Sequence, residues 1–446
     1  MYKPRSDRPE LKKVCVYNGE QEDGFVGLRY SDGVLNVCFP FGYSKPADDE
    51  KEYRKDILNL ITVLAEYSKK FDGVGPSSLL NDDDVAFPIH AYIHVFNFFL
   101  NHGYYVEKES SYGKAKSGKI NWSKTIKTIR PYVIGRSPNE STVYLDFITR
   151  KFYNKESEII TQIHKYCVYE SYEKIGCLFE YFQPEKPIVP FNAEMFVSIL
   201  KSKISKTFNE KHVLLFRNML DIVCYMGRKE NNSKASYGTK NFEYVWENLI
   251  NDVFGITDAE KEAYYPHCVW KIKDDVDSNL DWKDEKRTAL RPDTIMLSAL
   301  KDPHADIFVL DAKYYKYGEK VNPSEHRDAK KLPGTGSIIK QISYAEFIDN
   351  VRNTPGATDE QKGIPKGEIY NAFVLPYAGK KGKDDYALNC FGYAACDWKN
   401  LTEKYHKIYG ILLDVRAIMY RHPKSSDPDI QELAKLIRIE SERDTN

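Results

Sequence analysis

Between Ala289 and Tyr317 the chain reads ALRPDTIMLSALKDPHADIFVLDAKYYKY, and no other stretch limits the fold so tightly. Two apolar runs rich in β-formers, DTIMLSAL and ADIFVLDAKYY, flank the turn-rich Lys301-Asp302-Pro303-His304, which predicts an antiparallel hairpin. FVLD is apolar enough for a central buried strand, and a charge at the end of such a strand needs a partner or a metal. Asp293 enters the first strand, while Asp311 and Lys313 sit two apart near the end of the second. Strand side chains alternate faces, so Asp311 and Lys313 project to one side and Ala312 to the other. Two carboxylates on adjacent strands can share a hard divalent cation, and a lysine beside them can orient or deprotonate a water. That layout suits metal-assisted phosphodiester hydrolysis. The competing reading of the same residues is a solvated, salt-bridged strand end.

The spacing, RPD and then DAK with its Asp eighteen residues on, resembles the Pro-Asp … Asp-x-Lys arrangement of the PD-(D/E)xK nucleases. Upstream, FEYVWENLINDV places Phe242, Val245, Trp246, Leu249, Ile250 and Val253 on one apolar helix face. Glu243 and Glu247 lie one turn apart on a neighbouring face, where either one can add a carboxylate to the strand acids or stay solvated. Downstream, Gly334 and Gly336 precede a helix on which Gln341 and Tyr344 point to nearly the same side, toward the DNA backbone or the attacking water.

A chain of 446 residues suggests two or three domains with sizeable cores. Lysines and arginines balance aspartates and glutamates at 65 each, so nucleic-acid binding must come from local patches. One such patch is YGKAKSGKINWSKTIKTIRPY, Tyr112 to Tyr132. Lys114, Lys116, Lys119, Lys124, Lys127 and Arg130 are interleaved with Trp122, and no acid interrupts them. It suits a phosphate backbone or an acidic partner; the plainer reading is a solvated face. Gly113 to Ile120 matches GxxxxGK but ends in Ile120 where a phosphate loop needs Ser or Thr, and no apolar strand precedes it. Nucleotide binding is therefore excluded here, and any NTPase must be another chain.

The eight cysteines show no CxxC and no zinc-like spacing with histidine, which fits reduced, mostly buried thiols. His90 and His94, one turn apart on a helix expected from about Pro88 to Asn101, have no evident third ligand and read as partly buried core residues. The N-terminus lacks an apolar signal core and no run reaches membrane-spanning length, so a cytoplasmic protein is expected. Other expected elements are a strand at Gly33 to Phe41, a helix at about Glu50 to Phe71 and a strand at Ser141 to Thr149. Further helices are expected at Glu156 to Phe179, His212 to Met226 and Ile430 to Glu440, and a proline-punctuated linker at Gln183 to Pro190. The segment GRKENNSKASYGTKN reads as a polar loop, with the catalytic core starting near it.

Taken together, several stretches resemble the LlaJI family of restriction endonucleases, related to McrC-type nuclease subunits. They are Gly103 to Lys127, Tyr237 to Ile250, Arg291 to Asp293, Leu310 to Tyr315, Leu332 to Tyr344 and the late LDVRAIM. The resemblance implies an α/β (α+β) chain with a PD-(D/E)xK restriction-endonuclease-like core over 186–446. A mixed sheet flanked by helices would form that core, after an α+β DNA-recognition or partner-binding region over 1–185. It implies Mg²⁺-dependent double-strand cleavage of DNA, with Asp293 and Asp311 as metal ligands and Glu243 or Glu247 as auxiliary carboxylate. Lys313 would be the water-positioning base or transition-state stabiliser, with Gln341 and Tyr344 in support. Gln341 and Tyr344 stand one residue closer than the Gln-xxx-Tyr spacing of some related nucleases. The implied partners are double-stranded DNA and a McrB-like AAA+ GTPase that reads sequence; a homodimer is also allowed. The rival expectations are a self-sufficient restriction enzyme whose N-terminal half reads bases, and a non-catalytic adaptor.

Overall fold

A computed structural model describes residues 15–16, 24–31, 34–44, 49–70, 87–116, 118–135, 141–155, 159–179, 183–228, 234–272, 283–318, 328–354, 361, 363–379, 388–422 and 427–443. The chain forms two compact units, one built mainly from Phe87–Lys234 and the other from Lys12–Ser31, Leu35–Ala86 and Ala235–Asn446. These packing units meet in sequence at 234/235, close to the polar segment expected to open the catalytic core, and the expected 185/186 division falls inside the first of them.

The second unit holds a five-stranded mixed sheet in the order Thr294–Leu297, Ile307–Ala312, Ile369–Tyr377, Ile408–Asp414, Leu388–Ala394. Its first pair is the expected hairpin, with Thr294 opposite Leu310 and Leu297 opposite Ile307. The next two pairings are parallel. A parallel pair needs a long crossover, and helix Thr335–Asn353 lies in the first of these connections. Ile307–Ala312 and Ile408–Asp414 are buried at every position, which is why they read as continuous apolar runs.

Ile295, Ile307 and Val309 form one core cluster with Tyr344, Ala345 and Ile348 of the crossover helix. Helix Phe242–Phe254 buries the apolar face read from its sequence, and Trp246 Nε1 donates to the Val374 carbonyl at 3.2 Å, fastening it to the sheet. Helix Glu50–Lys70 is fastened to helix Val415–Arg421: Arg416 Nη2 lies 2.9 Å from Oδ1 of the fully buried Asp56, and Tyr420 donates to the same carboxylate. A buried carboxylate without such partners would be strongly destabilising. The last helix runs Asp427–Arg443, longer than expected at both ends.

A second sheet in this unit runs Cys15–Val16, Val34–Phe39, Val26–Ser31, Lys234–Thr239. Its last strand corrects the polar-loop reading of that segment. KASYGT has no apolar run to announce a strand; it is held by the buried Tyr237 and by a close backbone crossing of Gly238 with Gly27. A Cβ on either glycine would collide with backbone of the opposite strand, and Gly27 takes φ +144°. A separate two-stranded ribbon, His267–Ile272 against Lys283–Ala289, leads directly into the hairpin that opens the five-stranded sheet.

In the first unit, helices Ile89–His102, Ile159–Ile175, Ala193–Lys206 and Glu210–Met226 form a bundle. Long strands Glu107–Ala115 and Phe147–Lys155 pair antiparallel, and short strands Tyr132–Ile134 and Ser141–Val143 pair separately. The single strand expected at 141–149 is therefore two, and the helix Ala193–Lys206 was not expected. Among the described cysteines, Cys38, Cys167, Cys177 and Cys396 are buried, whereas Cys224 and Cys268 are exposed. No helix among the described residues is long and apolar enough to cross a membrane.

Candidate active site

Extended by one position, the hairpin register sets Asp293 opposite Asp311. Directly opposed residues share a face, so both carboxylates stand on the side of Val309, Ile295 and the crossover helix. Asp293 Oδ2 accepts the backbone N–H of Ala312 at 3.1 Å, which pins one acid to the residue after the other. Asp311 is buried, and its Oδ2 makes no well-angled hydrogen bond although Lys313 Nζ lies 2.6 Å away as an ion pair. The Lys313 N–H donates to the Val374 carbonyl at 2.9 Å, so the lysine continues the ladder and its side chain is aimed by the sheet.

Charge is unevenly balanced here. Burial pushes the Asp293 carboxyl up to about 7, with Asp311 and then Glu247 adding to the rise and Lys313 opposing it. Burial alone would lower the Lys313 ammonium, but Asp311 and Asp293 together outweigh it and raise the pKa. Lys313 is thus held as a cation. Burial also raises Glu247; Lys313 opposes this, and Asp311 and Glu243 reinforce it. Glu247 is the helix glutamate whose charge is felt at the strand acids, while Glu243 acts on Glu247 and on Tyr67.

Gln341 and Tyr344 are both buried, and their donors are spent on the protein's own backbone. Gln341 Nε2 donates to the Val309 carbonyl at 2.6 Å and Tyr344 OH to the Arg291 carbonyl at 2.9 Å. Each carbonyl lies two residues before a strand acid, so one helix turn grips both limbs of the hairpin just ahead of Asp311 and Asp293. Burial, then Asp293 and Asp311, raises the Tyr344 phenol well beyond its ordinary value, so it stays a neutral donor.

The donor set fits a hard divalent cation: two adjoining carboxylates, a third acid close enough to raise the affinity of Asp293 for protons, and a buried Asp311 oxygen without a regular hydrogen bond. Asp293 and Asp311 are a pair, with Glu247 felt through its charge. No group of three or more His, Cys, Asp or Glu side chains is gathered as a metal cage among the described residues. His90, 3.8 Å from Asp221, and His94, whose basicity burial lowers, form no such group either.

The basic stretch lies in the first unit, on the Glu107–Ala115 strand and the short helix Trp122–Thr128. Thr125 and Ile129 anchor that helix, and the Ile148 N–H donates to Thr125 Oγ1 at 2.9 Å. Lys114, Lys116, Lys119, Trp122, Lys124, Lys127 and Arg130 are all exposed. Lys124 Nζ sits 3.5 Å over the Tyr112 ring, and Lys114 lies 3.7 Å from Asp146. Trp122 and Tyr132 are exposed as well, and Ile126, Val133, Ile134 and Leu145 add exposed apolar surface that the charge pattern alone did not foretell. Sequence reasoning also missed Lys340, whose charge lowers the Glu247 pKa and whose Nζ lies 5.6 Å from the Tyr344 ring centroid.

A mixed sheet whose edge hairpin brings together Asp … Asp-x-Lys defines a PD-(D/E)xK type of core. The chain belongs to the LlaJI restriction endonuclease family, whose model matches residues 25–405. It is 27% identical over 290 residues to the Type II restriction enzyme BsuMI component YdjA of Bacillus subtilis (strain 168). That match covers 61% of this chain and 55% of the relative, so the chain spans about half the length of the curated protein it resembles. A solved assembly of Thermococcus gammatolerans McrB AAA+ hexamers with bound McrC is 12% identical with a TM-score of 0.35, covering 93% of this chain and 83% of that one. A likeness that slight carries no argument.

Proposed function

We propose that this chain is the nuclease subunit of a restriction-modification or phage-defence system, hydrolysing phosphodiester bonds in both strands of DNA with Mg²⁺. The observation that carries the reading is the placement of Asp311 opposite Asp293 with Lys313 Nζ 2.6 Å from Asp311. Asp293 and Asp311 would hold the ion, with Glu247 as the auxiliary carboxylate; Glu247 is preferred to Glu243 because its charge is coupled to both strand acids. Mg²⁺ in this setting supplies charge stabilisation to the phosphoryl oxygens and makes water a better nucleophile at neutral pH.

The chain's own side chains do the rest. Lys313, held as an ammonium by its two acids, stabilises negative charge on the phosphate in the transition state and orients the attacking water. It is a poor general base while so paired. Gln341 and Tyr344 position the acids through the backbone. The water attacks in line with the departing 3′-oxygen, and the half-buried site keeps competing solvent away from the carboxylates.

A McrB-like AAA+ GTPase is the proposed partner, with the first unit as its contact. Support comes from the word "component" in the relative's name and from the mixture of basic and apolar residues exposed around helix Trp122–Thr128. Exposed Trp122, Ile126, Val133 and Ile134 suit a protein surface better than a phosphate backbone. The test is plasmid cleavage in Mg²⁺ by the purified chain, alone and with a McrB-like protein and GTP. Cutting only in the complete mixture supports the subunit reading; cutting by the chain alone would make it a self-sufficient type II enzyme.

A further inference from the structure

The ribbon His267–Ile272/Lys283–Ala289 stands apart from both larger sheets of its unit. From Cys268 to Ile272 every residue of its first strand is exposed, including Val269 at 45%, Trp270 at 65% and Ile272 at 40%. Neighbours along a strand point to opposite faces, so both faces of this strand are uncovered and both carry apolar side chains. An isolated two-stranded ribbon is marginal in water. This one keeps an exposed tryptophan beside Lys271, which the register sets opposite Asp284.

Its position bears on what covers it. The second strand ends at Ala289, and only Leu290, Arg291 and Pro292 separate it from Asp293. The Leu290 N–H donates to the Pro266 carbonyl at 2.9 Å and closes the ribbon's base, while the Arg291 carbonyl is gripped by Tyr344. The four steps from Ala289 to Asp293 span at most about 14 Å, so the end of the ribbon lies close to the strand acids. A register shift between Asp284 and Lys286 adds a bulge to the second strand, a device that bends and twists a ribbon. The major groove of duplex DNA, about 12 Å wide, admits a two-stranded ribbon and contacts both of its faces. A flat protein surface would cover one.

We infer that the His267–Ile272/Lys283–Ala289 ribbon enters a groove of the duplex beside the scissile phosphate, with Trp270 against bases or sugars and Lys271 on the backbone. The inference rests on the nuclease reading and deepens it, because it makes the ribbon the element that sets where along the duplex the acids act.

The test uses the full chain, a short labelled duplex, and Ca²⁺ in place of Mg²⁺ to hold back cleavage. Trp270→Ala with Lys271→Ala weakens duplex binding by about tenfold or more. Lys271→Ala alone lowers the slope of log K against log salt by about 0.9. Both variants keep the parent's melting temperature and its Mg²⁺-induced rise, since neither residue is buried, and Trp270→Phe restores most of the affinity. Parental duplex affinity in the double variant overturns the ribbon's role and leaves the nuclease reading standing on Asp311. A parent chain that neither binds nor cuts duplex overturns both. Loss of binding to another protein with duplex affinity intact also overturns it.

Discussion

Asp293 Oδ2 accepts the backbone N–H of Ala312 at 3.1 Å, so the carboxylate that opens the first hairpin strand is fixed to the residue that follows Asp311. One acid is thereby placed by the strand that carries the other, and the distance between them does not depend on a loop.

Asp311→Ala removes one of the two strand carboxylates and reduces Mg²⁺-dependent cleavage to background. Folding persists, because the same change relieves the repulsion that raises Asp293. Circular dichroism and a plasmid assay on the same preparation check both halves. Unfolding of the variant would move Asp311 to a structural role.

Lys313→Ala costs at least about a hundredfold in the rate of the chemical step, the scale of losing one preorganised charge donor. Single-turnover kinetics with saturating enzyme separate this from any loss of affinity. Loss of the fall in rate at high pH supports a charge-stabilising lysine; loss of the rise in rate with pH would make it a proton acceptor.

The pH dependence of stability follows from Asp293. Its folded pKa lies above its unfolded one, so its contribution to the stability of the metal-free chain is greatest below about 4, where the carboxyl is protonated in both states. Stability is then lost as pH rises toward about 7 and is level above it, because ionisation becomes unfavourable in the fold. Melting temperatures measured without metal should fall across that window, and Asp293→Asn should flatten the fall. Added Mg²⁺ should raise the melting temperature most at the upper end.

Much of this site was legible in the sequence, for physical reasons particular to it. Turn residues between two apolar runs announced the hairpin, and strand alternation placed Asp311 with Lys313. Helical periodicity gave the buried face from Phe242 to Val253. What stayed hidden depends on contacts distant in sequence. The donors of Gln341 and Tyr344 proved to be committed to the Val309 and Arg291 carbonyls, which no spacing rule encodes. Strand Lys234–Thr239 lacks an apolar pattern, because a glycine crossing and one buried tyrosine hold it. Which of Glu243 and Glu247 acts electrostatically on Asp293 depends on the helix's rotation against the sheet, which spacing does not encode.

Gln341→Ala leaves the buried Val309 carbonyl without its partner and should cost about 1–3 kcal/mol of stability. Cleavage should fall through kcat with little change in KM, since the residue positions Asp311 without touching DNA. Tyr344→Phe should repeat the pattern through Arg291 and Asp293. Chemical denaturation and steady-state kinetics read the two effects separately.

Reversing Lys119, Lys124 and Lys127 to Glu should weaken association with the proposed GTPase partner while leaving the Mg²⁺-induced melting shift of the second unit unchanged. Pull-down and duplex-binding assays on the same variant decide between protein and DNA as the occupant of that surface.

The most direct measurement is cleavage of plasmid DNA in Mg²⁺ by the parent chain and by Asp311→Ala, each assayed alone and with a McrB-like protein and GTP. Cutting by the parent with its partner, and none by the variant in any mixture, is the predicted result. Equal cutting by Asp311→Ala would contradict the assignment of the hairpin acids as the catalytic centre.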